Sequence, residues 1–336
     1  MTRKPIVGIT MGDAVGISPE ILARALSRPD LYRVCSPLIV GNAPVMRQIS
    51  ANLGFEIDYQ EVEKIGDCKF LEGSPEILNP GGFAFSEVRW GRPRPEFCKA
   101  AIEYVEAAAD LCTSGETDAM VTTPINKGET VRAGFDFTGH TELLARRTGT
   151  SEYAMMLASE EFRVVLATTH IPLSLVASRI TKDLLLSLLR LIDRSMPLFG
   201  FPHPRIGVAA LNPHAGDGEA TGEEEIREII PALERACSEG IKAFGPYPAD
   251  TLFTPSNRKS YDLFLAMYHD QGLIPLKSES FLSAVNVTLG LPIVRTSVDH
   301  GTAYEIAGKG RADPSSLINA VKLAARLASG RLSDSE

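Results

Sequence analysis

Three histidines share one setting in this chain. Each follows an apolar, β-rich run: His170 follows Arg163–Ala167, His214 follows Ile206–Leu211, and His269 follows Leu263–Met267. The chain has six histidines, so half of them stand where a strand gives way to a loop. In an α/β fold the carboxyl ends of parallel strands converge on one edge, and ligands bind there. Three neutral imidazoles on that edge can hold a divalent metal and leave a coordination position open for substrate. A single histidine after a strand is more often a hydrogen-bonded loop residue. None of the three has the HExxH spacing that reads as a metal motif by itself. The reading rests on recurrence and on the polar groups nearby.

Those groups are dense after His269. Asp270-Gln271-Gly272 is followed by Lys277, by Asn286 in Val-Asn-Val-Thr and by Arg295 in Val-Arg-Thr-Ser. Lysine, asparagine and arginine near strand ends supply charge-assisted donors for a phosphate or carboxylate. In Gly139-His140-Thr141-Glu142 a loop enters a helix, so Thr141 can cap the helix and His140 can face a ligand, with ordinary capping as the alternative. The loop Met11–Glu20 has a strand–turn–helix pattern suited to anions. It lacks GxGxxG, and no P-loop occurs anywhere, so a tight turn lining a cleft is the simpler reading. His300 in Val-Asp-His-Gly can support a cofactor pocket or pair with Asp299. His203 reads as a surface turn, and Glu223–Glu225 as an acidic first helical turn without chemistry.

Elements must position these residues. Strands are expected over Ile6–Thr10, Pro37–Gly41, Glu56–Gln60, Ala119–Thr123, Tyr153–Ala158, Arg163–Thr168, Arg205–Leu211, Leu263–Met267 and Val285–Thr288. Helices are expected over Ser18–Ala25, with Ser18 as N-cap, and over Ala43–Leu53, Arg94–Cys112, His140–Arg147, Leu173–Arg179, Lys182–Phe199, Glu223–Ser238 and Ser315–Ala328. Residues 62–95 read as an irregular excursion rich in glycine and proline. The alternation predicts an α/β fold with a largely parallel sheet. Two subdomains are expected, the first over 1–125 with about 290–336, the second over about 126–289.

Composition narrows the function. A net charge of −8 disfavours nucleic-acid binding, which needs a basic surface. The five cysteines are scattered without a CxxC pair, which suits a reducing cytoplasm. The opening residues lack the apolar core of a signal peptide, and no apolar run reaches the roughly 18 residues of a membrane span.

Taken together, the motifs resemble the PdxA-type dehydrogenases almost end to end. The matching segments are Gly-Asp-x-x-Gly-Ile (12–17), Thr-Gly-His-Thr-Glu (138–142), Ala-Thr-Thr-His (167–170), Leu-Asn-Pro-His-Ala-Gly (211–216) and Pro-Ala-Asp-Thr-Leu-Phe (248–253). Ala-Met-Tyr-His-Asp-Gln-Gly (266–272), Val-Asn-Val-Thr-Leu-Gly-Leu-Pro (285–292) and Arg-Thr-Ser-Val-Asp-His-Gly-Thr-Ala (295–303) complete them. The resemblance implies a fold like the isocitrate and isopropylmalate dehydrogenases, two subdomains with a cleft between them, and a homodimer whose active sites draw on both chains. It places His170, His214 and His269 on the family's divalent-metal ligands, with zinc expected and magnesium or cobalt as alternatives. His140, Thr141, Lys277, Asn286 and Arg295 fall on substrate-binding positions. The cofactor implied is NAD, or NADP, bound without a Rossmann motif. Two departures stand out: Ala14-Val15 and Ser18 alter the usual first loop, and Asp217 replaces a glutamate.

The reaction so implied is NAD- and metal-dependent oxidation, then decarboxylation, of a 4-phosphorylated four-carbon 3-hydroxy acid, with Lys277 and Asp250 as acid–base candidates. Ala-Met-Met-Leu-Ala-Ser (154–159) and Pro-Ala-Asp-Thr-Leu-Phe favour the vitamin B6 substrate, 4-phosphooxy-L-threonine. The Met-Gly-Asp opening and His-Thr-Glu-Leu-Leu (140–144) also suit 4-phospho-D-threonate or 4-phospho-D-erythronate. From another class, the three histidines could activate water in an NAD-independent hydrolase or lyase.

Overall fold

A computed structural model describes residues 3–85, 88–218, 220–280 and 283–333. Its strands in chain order are β1 (Ile6–Thr10), β2 (Ser36–Val40), β3 (Gln60–Val62), β4 (Glu76–Leu78), β5 (Ala119–Thr122), β6 (Ala154–Ala158), β7 (Arg163–Leu166), β8 (Ile206–Ala209), β9 (Ala243–Tyr247), β10 (Leu263–Ala266), β11 (Val285–Leu289) and β12 (Arg295–Ser297). The chain divides into two compact units, Met1–Ser151 with Leu291–Glu336, and Glu152–Gly290.

In the first unit the strands run β3-β4-β2-β1-β5-β12, and every pair is parallel. β1, β2 and β5 are almost entirely buried, as expected of parallel strands covered on both faces. The covering helices include Ser18–Leu26, Ala43–Leu53, Pro95–Thr113 and Ser315–Ser333. Asn42 caps the second of these by accepting from Val45 N at 3.1 Å. Ser18, read as an N-cap, is instead the first helical residue; its hydroxyl donates to Pro124 O at 3.3 Å. Within the 62–95 excursion, β4 pairs in the sheet between β2 and β3. The helix His140–Thr148 packs on Pro95–Thr113 and belongs to this unit.

The second unit runs β11-β6-β7-β10-β8-β9. β6 alone is antiparallel to its neighbours, forming the expected hairpin with β7, whereas β7, β10, β8 and β9 are parallel. Phe162, Phe253 and Phe264 form its core through edge-to-face contacts at centroid distances of 5.2–5.8 Å. The expected helix 223–238 opens with a π-turn over Glu225–Ile229 and becomes α-helical at Ile230. Pro231 contributes no backbone N–H there, which favours the widened turn. Among the described residues no helix is long and apolar enough to cross a membrane.

Candidate active site

The parallel strands of the second unit bring the histidine loops to one edge. Leu166 of β7 is level with Ala266 of β10, and Val208 of β8 with Leu265, so the three strands end together. The backbone ladder continues past the strands: Ala167 N donates to Ala266 O at 2.8 Å, and the buried Thr168 hydroxyl donates to Met267 O at 2.8 Å. His170 is exposed, and its ring lies 5.5 Å from that of His269, centroid to centroid. Two imidazoles on one tetrahedral zinc, with Zn–N near 2.1 Å, place their centroids roughly 5 Å apart, so this spacing fits shared ligation.

His269 is not in a loop. It is the first residue of the helix His269–Ser280. Its Nδ1 lies 2.7 Å from Asp270 Oδ1, an arrangement that puts the ring proton on Nδ1 and leaves the Nε2 lone pair available to a metal. Gln271 ties the strand ends together: its Oε1 accepts from Met267 N at 2.7 Å and its Nε2 donates to Ala210 O at 2.6 Å. At Gly272 a Cβ would come within 2.8 Å of the Leu166 and Val164 side chains and displace them, so glycine lets this helix sit close against β7. The His-Asp-Gln-Gly sequence thus has a mechanical reading as well as a chemical one.

His214 stands on the adjacent turn, in left-handed conformation at φ 54°, followed by Ala215 at φ 55°. Left-handed backbone at consecutive non-glycine residues is costly and persists only where neighbours enforce it. Glu225, which is buried, fastens the segment that leads into this turn. Its Oε1 accepts from Leu211 N and Asn212 N, both at 2.8 Å, and its Oε2 from Asn212 Nδ2 at 2.9 Å. The sequence had offered Glu225 only as part of an acidic helical turn. Its role depends on contacts 13 and 14 residues away, which no local pattern reveals. Glu225→Ala is expected to lower stability by about 2 kcal/mol, because the half-buried Leu211 and Asn212 amides lose their acceptor while Asn212 Nδ2 keeps Glu224 Oε2 at 2.7 Å, and a denaturant midpoint checks this.

Among the described residues, no three His, Cys, Asp or Glu side chains are grouped closely enough to hold a metal ion. The structure brings His170 and His269 together and leaves His214 on the neighbouring strand end. The donor set fits zinc in kind, and two of its members fit in spacing. Lys277 is half-buried on the helix that His269 opens, about 12 Å further along its axis at 1.5 Å per residue. Asn286 lies on β11 opposite Leu157, and its Oδ1 is buried without a hydrogen-bond partner among the described residues. Asp250 is exposed on the one-turn helix Ala249–Leu252.

The first unit carries its own polar cluster. Arg295 opens β12 and is 3% exposed; its Nη2 and Nε lie 2.7 and 3.2 Å from the Thr122 hydroxyl, to which they donate. Burial brings the guanidinium down to about 10 while Glu142 works the other way, so it stays charged at neutral pH. His140 is the first residue of its helix, with Gly139 as an N-cap that offers no side chain. Thr141, expected as a possible cap, lies within the helix and is half-buried. Burial, reinforced by the Arg295 charge, pulls the His140 imidazole down to about 3, with hydrogen bonding to the Thr123 backbone acting in the opposite sense. Its Nε2 is enclosed and has no partner among the described residues. A buried cation, a helix N-terminus and a neutral ring with an unused nitrogen are what a bound anion with hydroxyl or amine neighbours requires.

The His140 shift has a sign that can be measured. Its folded value lies far below the ordinary value near 6.5, so below that pH the unfolded chain binds the extra proton and stability falls as pH falls toward 3. His140→Gln should therefore lose less stability than the parent between pH 7 and pH 5, by up to about 2 kcal/mol, as read from urea midpoints.

The loop at residues 11–17 is no anion cradle. Asp13 N donates to Pro124 O, Val15 N to Asp13 Oδ1, Gly16 N to Asp13 O and Ile17 N to Thr302 O, so its amides are engaged internally. At Gly12, with φ 64°, a Cβ would lie 2.3 Å from the Thr123 hydroxyl, which explains the glycine. The Tyr304 hydroxyl donates to Asp13 Oδ2, and burial raises the Asp13 carboxyl above its ordinary value.

Comparison with known proteins gives a consistent result. A family model described as "Pyridoxal phosphate biosynthetic protein PdxA" matches residues 33–324. A 4-hydroxythreonine-4-phosphate dehydrogenase from Desulforapulum autotrophicum is 45% identical over 324 residues, covering 96% of this chain and 95% of that protein. A Symbiobacterium thermophilum protein, provisionally named D-threonate 4-phosphate dehydrogenase, is 37% identical and covers 98% of each. The crystal structure of a 4-hydroxythreonine-4-phosphate dehydrogenase from Burkholderia phymatum is similar with a TM-score of 0.86 at 38% identity, over 97% of this chain and 99% of that one.

Proposed function

Because the chain belongs to the PdxA family, we propose that it is an NAD-dependent, metal-dependent dehydrogenase. Its substrate would be 4-phosphooxy-L-threonine, oxidised at C3 and then decarboxylated, a step in pyridoxal phosphate biosynthesis. The observation that supports this most strongly is the convergence of the His170, His214 and His269 strand ends on one edge, with two rings already 5.5 Å apart. His170, His214 and His269 would hold one divalent cation, zinc in the first instance. When bound, the metal supplies a Lewis acid for the alcohol oxygen and the nicotinamide supplies the hydride acceptor that no side chain can provide.

The protein's own contribution is binding, orientation and proton handling. Arg295, Lys277 and Asn286 would take the anionic end of the substrate, and His140 and Thr141 would fix its orientation. Arg295 suits this role because its charge is held in place by Thr122 before any ligand arrives. His140, neutral and with Nε2 unpaired, can accept from a hydroxyl or an ammonium. Lys277 and Asp250 remain the candidates for moving the alcohol proton. We also propose a homodimer. Leu173 and Ile274, both more than 60% exposed, flank the histidine loops in sequence and would be covered by a second copy.

The similarity to relatives of both names makes a paired assay the test. NADH formation with added zinc, magnesium or manganese should be at least about tenfold faster, in kcat/KM, with 4-phosphooxy-L-threonine than with 4-phospho-D-threonate or 4-phospho-D-erythronate. The reverse preference would assign sugar-acid catabolism instead. Turnover of neither, together with no equilibrium binding of NAD, would favour the hydrolase or lyase reading.

A further inference from the structure

The edge strand of the first unit borders a second feature of the molecule. A cavity of about 490 Å³ lies along β3 and is lined by Asp58, Glu61, Glu63, Asp67 and Glu76 against a single cation, Lys69. Glu61 pairs with Arg47 at 2.8 Å. Among the described residues, Asp58, Glu63, Asp67 and Glu76 have no ion-pair partner. None of the residues assigned to the reaction lines this cavity.

Glu76 is the telling residue. It is the first residue of β4, paired with Leu38 on one side and Gln60 on the other, so the sheet fixes its backbone. It is only 3% exposed. Its Oε1 accepts from Lys69 N at 2.7 Å and from Phe70 N at 2.8 Å. Its Oε2 is enclosed and accepts nothing from the described residues. A buried carboxylate oxygen without a donor is expensive, and folded proteins rarely leave one. The negative field is felt by Cys68, whose thiol is pushed up to about 12, first by burial and then by Glu76 and Asp67.

The cavity calls for a cation, and its layout selects the kind. No three carboxylates, histidines or cysteines among the described residues are grouped to surround one metal ion. The acids are instead spread along the cavity, with Val62 and the exposed Leu71 as apolar wall. Spaced negative charges with intervening apolar surface match spaced ammonium groups joined by methylenes. We propose that this cavity binds a linear aliphatic polyamine, with one ammonium donating to Glu76 Oε2 and another held by Glu63 and Asp67.

Calorimetric titration of the full-length protein with spermidine at low ionic strength tests this. Saturable one-to-one binding is expected, weakened about tenfold or more by Glu76→Gln and by the double variant Glu63→Gln, Asp67→Asn, and unchanged in Glu234→Gln, which is exposed elsewhere. If Glu76→Gln does not fold, the double variant at exposed positions decides. Absence of saturable binding at millimolar spermidine would overturn the proposal. Equal affinity in the parent and the cavity variants would also overturn it, by showing diffuse attraction to a chain of net charge −8. So would Glu76-dependent binding of magnesium without binding of spermidine.

Discussion

His269→Ala is expected to reduce NADH formation by about 10³-fold or more while leaving the protein folded. Removing one of the three proposed metal ligands would remove the Lewis acid or displace it, and loss of several kcal/mol of transition-state stabilisation corresponds to that factor. The fold should survive because His269 is partly exposed and its helix is anchored elsewhere: Gln271 bridges the ends of β10 and β8, and Gly272 seats the helix on β7. Asp270→Asn should be milder, about 10- to 100-fold, since it alters only the hydrogen bond that orients the ring. Steady-state rates at saturating zinc, with circular dichroism as a control for folding, check both. Near-normal turnover in His269→Ala would remove the residue from the mechanism.

Arg295→Met should lower kcat/KM with the phosphorylated acid by about 10²- to 10³-fold, the expected loss for a buried, charge-assisted contact to an anion. The unbranched thioether fills much of the space, which limits the structural cost at a position that is 3% exposed. The effect should be far smaller on the residual turnover of the dephosphorylated acid if Arg295 holds the phosphate. An equal loss with both substrates would mean that it instead positions Thr122 or the neighbouring backbone. Arg295→Lys should not rescue, because the contact to Thr122 uses two nitrogens of the fork.

The long apolar strands were legible because burial on both faces writes an uninterrupted hydrophobic run, as in β1, β2, β5 and β10. The short strands were not. β3 reads Gln-Glu-Val and β4 begins with Glu76, so neither has a pattern to distinguish it from a loop. β12 begins at Arg295, a charged residue whose burial is decided by Thr122 on a strand 173 residues away. The helix over 269–280 contains Pro275, which lacks the N–H that an interior position needs, so its sequence carries no clear helical signal. For the site, the three histidines could be found from their shared context, and Arg295 and His140 from their motif positions. The fastening by Glu225 and Gln271 could not, because each satisfies backbone groups that come close only after folding.

Titration of the metal-free protein with cobalt(II), followed by its visible absorption, tests the central claim most directly. One ion per chain is predicted, bound with the spectrum of a nitrogen-liganded site, and His170→Ala, His214→Ala and His269→Ala should each weaken binding by at least about 10²-fold. Undiminished stoichiometry and affinity in any one of the three variants would contradict the account.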